Sequence, residues 1–249
     1  MHPRLWADSF ESGLIMLKCS GTDIDPGQCL PPQGDLAGWL LTWPQVPLIG
    51  HFIFAHGAGA PMDSAFMQNM AERLAARGLA VLRFEFPYMA QRRLNGGKRP
   101  PNPQMQLLDC WRAVYAQVRQ QVTGPLAIGG KSMGGRMASL VADELGADAL
   151  ICLGYPFYPA GKPEKPRVAH LAQLNTRTLI VQGERDALGN QPAVLCYTLS
   201  AVIEMLWLAA ADHDLKPLQK SGFSHEQHLE QAADAIVAFL RKAPSLVNG

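Results

Sequence analysis

Short, wholly apolar runs alternate with longer amphipathic segments along most of this sequence, and this alternation restricts the possible folds more than any other feature. A strand that is apolar on both faces is typical of a parallel sheet covered by helices on both sides. Strands are predicted at 14–19, 36–42, 49–55, 79–84, 125–130, 149–153, 178–181 and 202–208. Helices are predicted at 63–77, 104–121, 133–145, 191–199 and 226–241, and loops at 88–103 and 154–175. The pattern therefore predicts an α/β fold with a mainly parallel sheet of about eight strands and helices on both faces.

Composition and charge exclude several classes of protein. Of the 249 residues, 48% are hydrophobic and 17% are charged, a balance that excludes a disordered chain, a coiled coil and collagen. The net charge of +1 provides no overall field for nucleic acid or for an anionic membrane. No apolar run approaches the roughly 18 residues of a membrane span. We therefore expect no nucleic-acid partner and no membrane partner.

The sequence also bears on compartment and domain organisation. Residues 1–8 lack the apolar stretch of a secretory signal, and the five cysteines are scattered without a C-x-x-C pair. These features predict a cytoplasmic protein with reduced cysteines and no metal site. No repeat or long linker divides the chain, so we expect one domain over 1–249, with its core at about 36–241 and N-terminal strands within 14–42.

A nucleophile motif occurs where a predicted strand meets a predicted helix. Gly130-Lys131-Ser132-Met133-Gly134 matches the G-x-S-x-G pattern, whose glycines leave room for a sharp, strained turn that exposes the serine hydroxyl. Ser132 is therefore a candidate nucleophile, and the Met133 N–H at the helix start is a candidate oxyanion donor. The run Gly130-Lys131-Ser132 would also end a phosphate-binding loop, but that motif needs glycine where this chain has Pro125.

Two further predicted strands end in groups that can activate a serine. A strand ending at Val181 leads into Asp186, with Glu184 as the nearby alternative acid. The last predicted strand is followed by His213, the candidate base, with His225 and His228 as competitors at the start of the final helix. Because the carboxyl ends of parallel strands share one edge of the sheet, the order serine, acid, histidine predicts a Ser132–His213–Asp186 triad there.

The first buried strand ends in His56-Gly57-Ala58-Gly59, the place where a second oxyanion donor is expected. Small residues allow the backbone to approach a substrate oxygen closely, so we favour the Ala58 N–H, with Gly59 as the fallback. His56 is interpreted as a side chain that stabilises the turn.

Three residues are predicted to contact substrate: Gly59, Tyr88 and Tyr155, each of which follows the end of a predicted strand. The segment 91–99 carries four positive charges and no acidic residue. It would either attract an anionic substrate to the rim of the site or form a hydrated loop.

By these residues the chain resembles the α/β-hydrolase superfamily. The matching segments are 129–136, 155–156, 161–165 and 182–186. They are similar to the dienelactone-hydrolase-like branch, which contains a testis-expressed hydrolase-like protein and a scaffold subunit of a chromatin acetyltransferase complex. The resemblance covers about 36–241 and implies an eight-stranded sheet, a Ser132, Asp186 and His213 triad, and no metal or cofactor. Dienelactone hydrolases use a cysteine nucleophile where this chain has Ser132, and the branch often has proline where this chain has Ala187.

The predicted function is hydrolysis of a small-molecule carboxylic ester, thioester or lactone through an acyl-enzyme on Ser132. The predicted loops are too short for a large lid domain, which favours small or extended substrates. The alternative is a binding or scaffold protein that keeps the fold without turnover, because one fold can serve unrelated functions. A monomer or a homodimer is expected.

Overall fold

The computed structural model describes residues 33–36, 38–97 and 99–242. Within these ranges the strands are β1 Gln33–Leu36, β2 Trp39–Thr42, β3 Gly50–Ala55, β4 Leu79–Phe84, β5 Leu126–Lys131, β6 Ala149–Leu153, β7 Thr178–Gly183 and β8 Ile203–Leu208. The α-helices are α1 Ala65–Ala75, α2 Pro87–Asn95, α3 Gln104–Arg119, α4 Met133–Ser139, α5 Ala142–Leu145, α6 Gln191–Val194 and α7 His225–Arg241. Two short 3₁₀ helices, Ala169–Gln173 and Gln219–Ser221, lie before β7 and before α7.

The strands form one sheet in the order β1-β2-β4-β3-β5-β6-β7-β8. The strands β3 to β8 pair in parallel, whereas β1 and β2 join one side as antiparallel strands. The parallel strands therefore end at one edge, where an open α/β sheet places its ligands. The predicted α/β fold with a mainly parallel sheet is confirmed.

Apolar side chains alternate between the two faces of the sheet, so each face has its own core. On one face Phe52, Phe54 and Val81 pack with the inward sides of α1 and α7. On the other face Ile53 and Phe84 pack with α3 and α4. Helices thus cover both faces, and the wholly apolar strands follow from burial on both sides.

Helices α1 and α7 are also linked by charge. Arg73 contacts Glu226 and Glu230, and Arg77 contacts Glu230 and Asp234. A capping box at Ser224 fixes the start of α7. These contacts hold the final helix against α1, on the carboxyl-terminal side of the segment that carries His213.

The structure differs from the sequence prediction at the amino-terminal side of the sheet. The predicted strand 14–19 lies outside the described residues. The single predicted strand 36–42 is instead the hairpin of β1 and β2, in which Leu36 pairs with Trp39 and Gly38 has a φ of 89°. That left-handed conformation favours glycine, so the chain turns where a continuous strand was predicted.

The prediction that 88–103 is wholly a loop is wrong, because α2 occupies its first half. Pro87 suits the first turn of a helix, and Gly96, with a φ of 68°, ends it. Arg93 in α2 pairs with Glu85 and with Asp63 at 2.7 and 2.9 Å. These tertiary ion pairs hold a helix whose Pro- and Gly-rich surroundings favoured a loop.

Two predicted helices are shorter than expected. The segment 133–145 is divided into α4 and α5, and Val141 between them has a φ of −124°. The Ser139 hydroxyl donates to the Arg136 carbonyl at 2.8 Å, a bond that competes with the helix at its end. The helix predicted at 191–199 ends at Val194.

Among the described residues, no helix is both long enough and apolar enough to cross a membrane.

His170 ties the first 3₁₀ helix to α4, because its Nε2 lies 2.9 Å from the Ser139 hydroxyl. Burial, followed by the nearby positive charge of Arg136, lowers the pKa of His170 to about 4. The folded state therefore keeps this ring neutral at a pH where the unfolded chain already binds a proton.

The free energy of unfolding is therefore expected to fall as the pH falls from 6.5 towards 4. His170→Gln, which cannot titrate, should show a smaller loss of stability between pH 7 and pH 5 than the wild type. Urea unfolding at the two pH values measures this. The variant keeps His51 and His56, whose pKa values burial also lowers, so only part of the slope should disappear. Equal slopes for the two proteins would contradict the assignment.

Candidate active site

Ser132 stands at a strained turn between β5 and α4. Its φ is 51° and its ψ −115°, a conformation that non-glycine residues rarely adopt. The Ser132 N–H still bonds to the Leu153 carbonyl at 2.9 Å, and the Arg136 N–H already bonds back to the Ser132 carbonyl at 3.0 Å. The turn therefore changes from sheet to helix within one residue and leaves the hydroxyl above the carboxyl edge of the sheet.

The glycines around Ser132 are required by contact with other backbone. A Cβ at Gly134 would lie 2.6 Å from the carbonyl oxygens of Ala55 and His56. A Cβ at Gly130 would lie 2.6 Å from the Ala55 oxygen and 2.7 Å from the backbone of Gly134. These distances are shorter than van der Waals contact, so the elbow and the end of β3 fit together only without side chains here.

Three polar side chains from three separate strand ends meet at this turn. His213 Nε2 lies 2.9 Å from Ser132 Oγ, and His213 Nδ1 lies 2.8 Å from Asp186 Oδ2. Asp186 is fully buried, whereas the His213 side chain is 27% exposed. The structure thus brings together the three residues that the sequence predicted, in an arrangement that can pass a proton from the hydroxyl to the ring.

The alternative acid and bases have other partners. Glu184 accepts the Ala210 N–H at 2.8 Å, directly before the segment that carries His213. His225 and His228 contact the backbone carbonyls of Asp214 and Leu215. All three therefore contact the loop around His213 and do not contact Ser132.

Gln182 positions Asp186, and sequence reasoning missed it. Its Nε2 donates to Asp186 Oδ2 at 2.8 Å and also lies 3.1 Å from the carbonyls of Tyr155 and Gly189. Its Oε1 accepts the Tyr155 N–H at 2.7 Å, and the side chain is fully buried. The sequence signal that could have identified Gln182 is its position directly after the apolar run 178–181, because a buried polar side chain there needs hydrogen-bond partners.

Lys131 supports His213 from the other side. Its ammonium group donates to the His213 carbonyl at 2.7 Å, lies 3.4 Å from Asp214 and lies 5.5 Å above the Phe66 ring. Burial lowers the pKa of this lysine, whereas the neighbouring carboxylates of Asp214 and Asp186 act in the opposite direction. A residue beside the nucleophile therefore fixes the backbone of the candidate base.

Two backbone N–H groups remain available next to Ser132. Within the described part of the chain, the N–H groups of Ala58 and Met133 donate to no protein acceptor. Tyr88 donates its hydroxyl hydrogen to the Ala58 carbonyl at 2.9 Å. His56 accepts the Phe86 N–H at Nε2, so its Nδ1–H donates to the Gly57 carbonyl at 2.7 Å. These bonds fix the carbonyls of Gly57 and Ala58 and so orient the loop that carries the Ala58 N–H, a candidate oxyanion donor.

The three residues predicted to contact substrate lie in different surroundings. Gly59 lies in a cleft beside Ser132. The prediction that Tyr88 contacts substrate is wrong, because its side chain is buried and its hydroxyl donates to the Ala58 carbonyl from behind the loop. The prediction that Tyr155 lines the substrate pocket is wrong, because its side chain is fully buried and its hydroxyl lies 3.3 Å from both Ser139 and His170. In this protein the aromatic residue that follows the end of β6 packs in the core.

Ser132 and Ala58 border two depressions on the protein surface. One, of about 320 Å³, is lined by Gly59, Phe66, Lys131 and His213 among others. The second, of about 420 Å³, is lined by Pro101, Asn102, Gln104, Leu107, Met133, Arg136, Met137, Pro156, Pro159, Ala160, Arg167 and Leu188. A substrate carbonyl at Ser132 would therefore have room for a group on each side.

Comparisons with known proteins identify a family and a shared fold. A family model described as an alpha/beta hydrolase domain matches residues 49–241. The comparison with curated protein sequences finds no match.

Solved structures share the fold at low sequence identity. An α/β serine hydrolase without a lid from Xanthomonas campestris is 20% identical, with a TM-score of 0.60 over 83% of this chain and 90% of that chain. A dienelactone hydrolase from Anabaena variabilis is 20% identical, with a TM-score of 0.60 over 82% and 92% of the two chains. Est1E from Butyrivibrio proteoclasticus is 16% identical, with a TM-score of 0.60 over 82% and 94%.

The contact between the elbow and β3 predicts a large effect of one methyl group. Gly134→Ala should lower the free energy of unfolding by about 1–3 kcal/mol, because the backbone carbonyls near its Cβ cannot rotate away. Gly97→Ala is the matched control, since its Cβ would meet no atom within 4 Å. Urea denaturation measures both variants, and equal stabilities would show that the contact does not constrain the turn.

Proposed function

The chain belongs to the alpha/beta hydrolase family, and from that premise we propose that it is a serine hydrolase that cleaves small carboxylic esters through an acyl-enzyme on Ser132. The observation that carries the proposal is the continuous hydrogen-bonded relay from Ser132 through His213 to Asp186 at a strained turn. Thioesters and small lactones belong to the same substrate class, because the same attack opens them.

The contacts support the following course of reaction. Ser132 Oγ attacks the ester carbonyl while His213 Nε2 takes the hydroxyl proton, and Asp186 stabilises the resulting imidazolium. The negative oxygen of the tetrahedral intermediate accepts hydrogen bonds from the Ala58 and Met133 N–H groups. The C–O bond to the leaving group then breaks, and His213 returns the proton to the departing alcohol.

A water molecule completes the cycle by the same steps in reverse. His213 takes a proton from the water, whose oxygen attacks the acyl-enzyme carbonyl and forms a second tetrahedral intermediate. Collapse of that intermediate breaks the bond to Ser132 Oγ, which regains the proton, and releases the carboxylic acid. The net reaction consumes one ester and one water and needs only the residues named here.

Buried hydrogen bonds to Asp186 and to the His213 backbone distinguish this relay from a chance contact of polar surface groups. Asp186 keeps its orientation because Gln182 and the Leu188 N–H hold both carboxylate oxygens, the latter at 2.7 Å. Lys131 holds the His213 backbone. An arrangement fixed in this way is pre-organised for reaction, which favours catalysis over a purely structural role of the fold.

The direct test uses a fluorophosphonate probe, which reacts rapidly only with an activated serine. The wild type should be labelled at Ser132, as located by mass spectrometry, and should hydrolyse short 4-nitrophenyl esters. Ser132→Ala should lose labelling and about 10⁶-fold in kcat. Ser221→Ala, which changes a partly exposed serine on the short 3₁₀ helix Gln219–Ser221, should retain both. Absence of labelling in the wild type would instead favour a binding or scaffold protein.

The support of the oxyanion loop can be tested separately. Tyr88→Phe removes one neutral hydrogen bond to the Ala58 carbonyl, so kcat should fall about 2- to 10-fold while KM changes little. Tyr115→Phe is the matched control, because its hydroxyl bonds to the remote Gly146 carbonyl at 3.3 Å. A change confined to KM, or equal effects of the two variants, would contradict this role of Tyr88.

A further inference from the structure

Two arginines face the larger depression beside Ser132 without acidic partners. Arg136 and Arg167 both line it, and neither forms an ion pair with a carboxylate among the residues that the structure describes. The Arg136 guanidinium donates one hydrogen bond, to the Gln104 side chain at 3.2 Å, and its buried Nε has no partner among the described residues. The lining of this depression contains no aspartate and no glutamate.

Several other arginines of this protein do have acidic partners. The arginines paired with carboxylates include Arg73, Arg77, Arg93, Arg112 and Arg119. The pairing of Arg93 with Glu85 and Asp63 also reduces the excess positive charge of the segment 91–99. The positive charge available to an anionic ligand near the nucleophile therefore lies at Arg136 and Arg167.

The two guanidinium groups line the same depression, so each adds positive charge to the surroundings of the other. Burial lowers the pKa of Arg136, and the positive charge of Arg167 lowers it further. Charges that are partly buried without a partner cost free energy unless a ligand compensates them. An anion bound in the depression would accept a hydrogen bond from the Arg136 Nε and offset the positive charge of both groups.

The position of Arg136 places such an anion in the depression that Ser132 borders. Arg136 follows Ser132 by one turn of α4, as the bond from its N–H to the Ser132 carbonyl indicates. Ser132, Arg136 and Arg167 all line this depression, so a substrate held at Ser132 by its carbonyl can extend towards the two guanidinium groups. Leu107, Met137 and Leu188 line the same depression and suit an alkyl spacer.

We propose that Arg136 and Arg167 form a carboxylate-binding subsite, so that the preferred substrates are esters that carry a free carboxylate on a short alkyl spacer. Guanidinium groups match the planar geometry of a carboxylate and bind it through paired hydrogen bonds. The subsite deepens the proposed hydrolase function and rests on it.

Two matched substrate pairs test the subsite, with turnover followed by proton release in a pH-stat. Monoethyl glutarate against ethyl valerate places the anion on the acyl side, and 4-acetoxybutanoate against butyl acetate places it on the alcohol side. In at least one pair the wild type should prefer the anionic ester in kcat/KM. Arg136→Gln/Arg167→Gln should reduce that preference by roughly 10- to 100-fold.

Two variants control for net charge and for geometry. Arg241→Gln/Lys242→Gln removes the same charge beside the amino ends of β3 and β5, at the opposite edge of the sheet, and should keep the preference. Arg136→Lys keeps a charge without the planar fork and should recover only part of it. Ratios unchanged by Arg136→Gln/Arg167→Gln in both substrate pairs would overturn the subsite.

The outcomes separate the subsite from the proposed function. Labelled, active enzyme without an anion preference would overturn the subsite alone. If labelling and turnover are both absent, the proposed hydrolase function fails, and the subsite is then tested by ligand binding alone. Calorimetric titration with N-ethylglutaramate, the amide counterpart of monoethyl glutarate, should then show weaker binding to Arg136→Gln/Arg167→Gln than to the wild type. Equal affinity would overturn the subsite as well.

Discussion

The close backbone contact between the turn at Ser132 and the end of β3 is the constraint on which the rest of the site depends. Gly130 and Gly134 lie against the Ala55 and His56 carbonyls with no room for a Cβ. This contact places the loop containing Ala58 beside Ser132, so the serine and the two candidate oxyanion donors are positioned by the same backbone contact. The positive φ of Ser132 persists because sheet pairing on one side and helix α4 on the other over-determine it.

The remaining groups are assembled across the sheet through buried polar side chains. Gln182 connects Asp186 to the backbone at Tyr155 and Gly189, and Lys131 connects β5 to the His213 carbonyl. Each of these groups is buried with hydrogen-bond partners, because an unsatisfied polar group in this position would cost more than the fold gains. The Asp186 carboxylate and the His213 imidazole are consequently held in place by the fold. Of the three residues in the relay, Ser132 and His213 line the cleft, whereas Asp186 is buried.

The fold and the substrate class are set by different parts of the molecule. Structures that are 16–20% identical share the fold, and at this distance they carry no information about what this chain acts on. The information about substrate lies instead in the side chains that surround the elbow. Arg136 and Arg167 place positive charge beside one side of Ser132, and Lys131 uses its own charge to hold the His213 loop.

The sequence by itself determined the sheet, the elbow and the order of serine, acid and histidine, because buried strands and glycine spacing are local signals. It did not determine α2, since Pro87 and Gly96 suit a loop as well as a helix. The ion pairs of Arg93 with Glu85 and Asp63 form only in the folded protein. It misassigned Tyr155, because an aromatic residue after a strand has the same local pattern in a pocket wall as in a core. Gln182 and the pair of Arg136 with Arg167 emerged only from the tertiary structure. Their roles depend on which distant groups approach them, and residue spacing along a chain does not record such contacts.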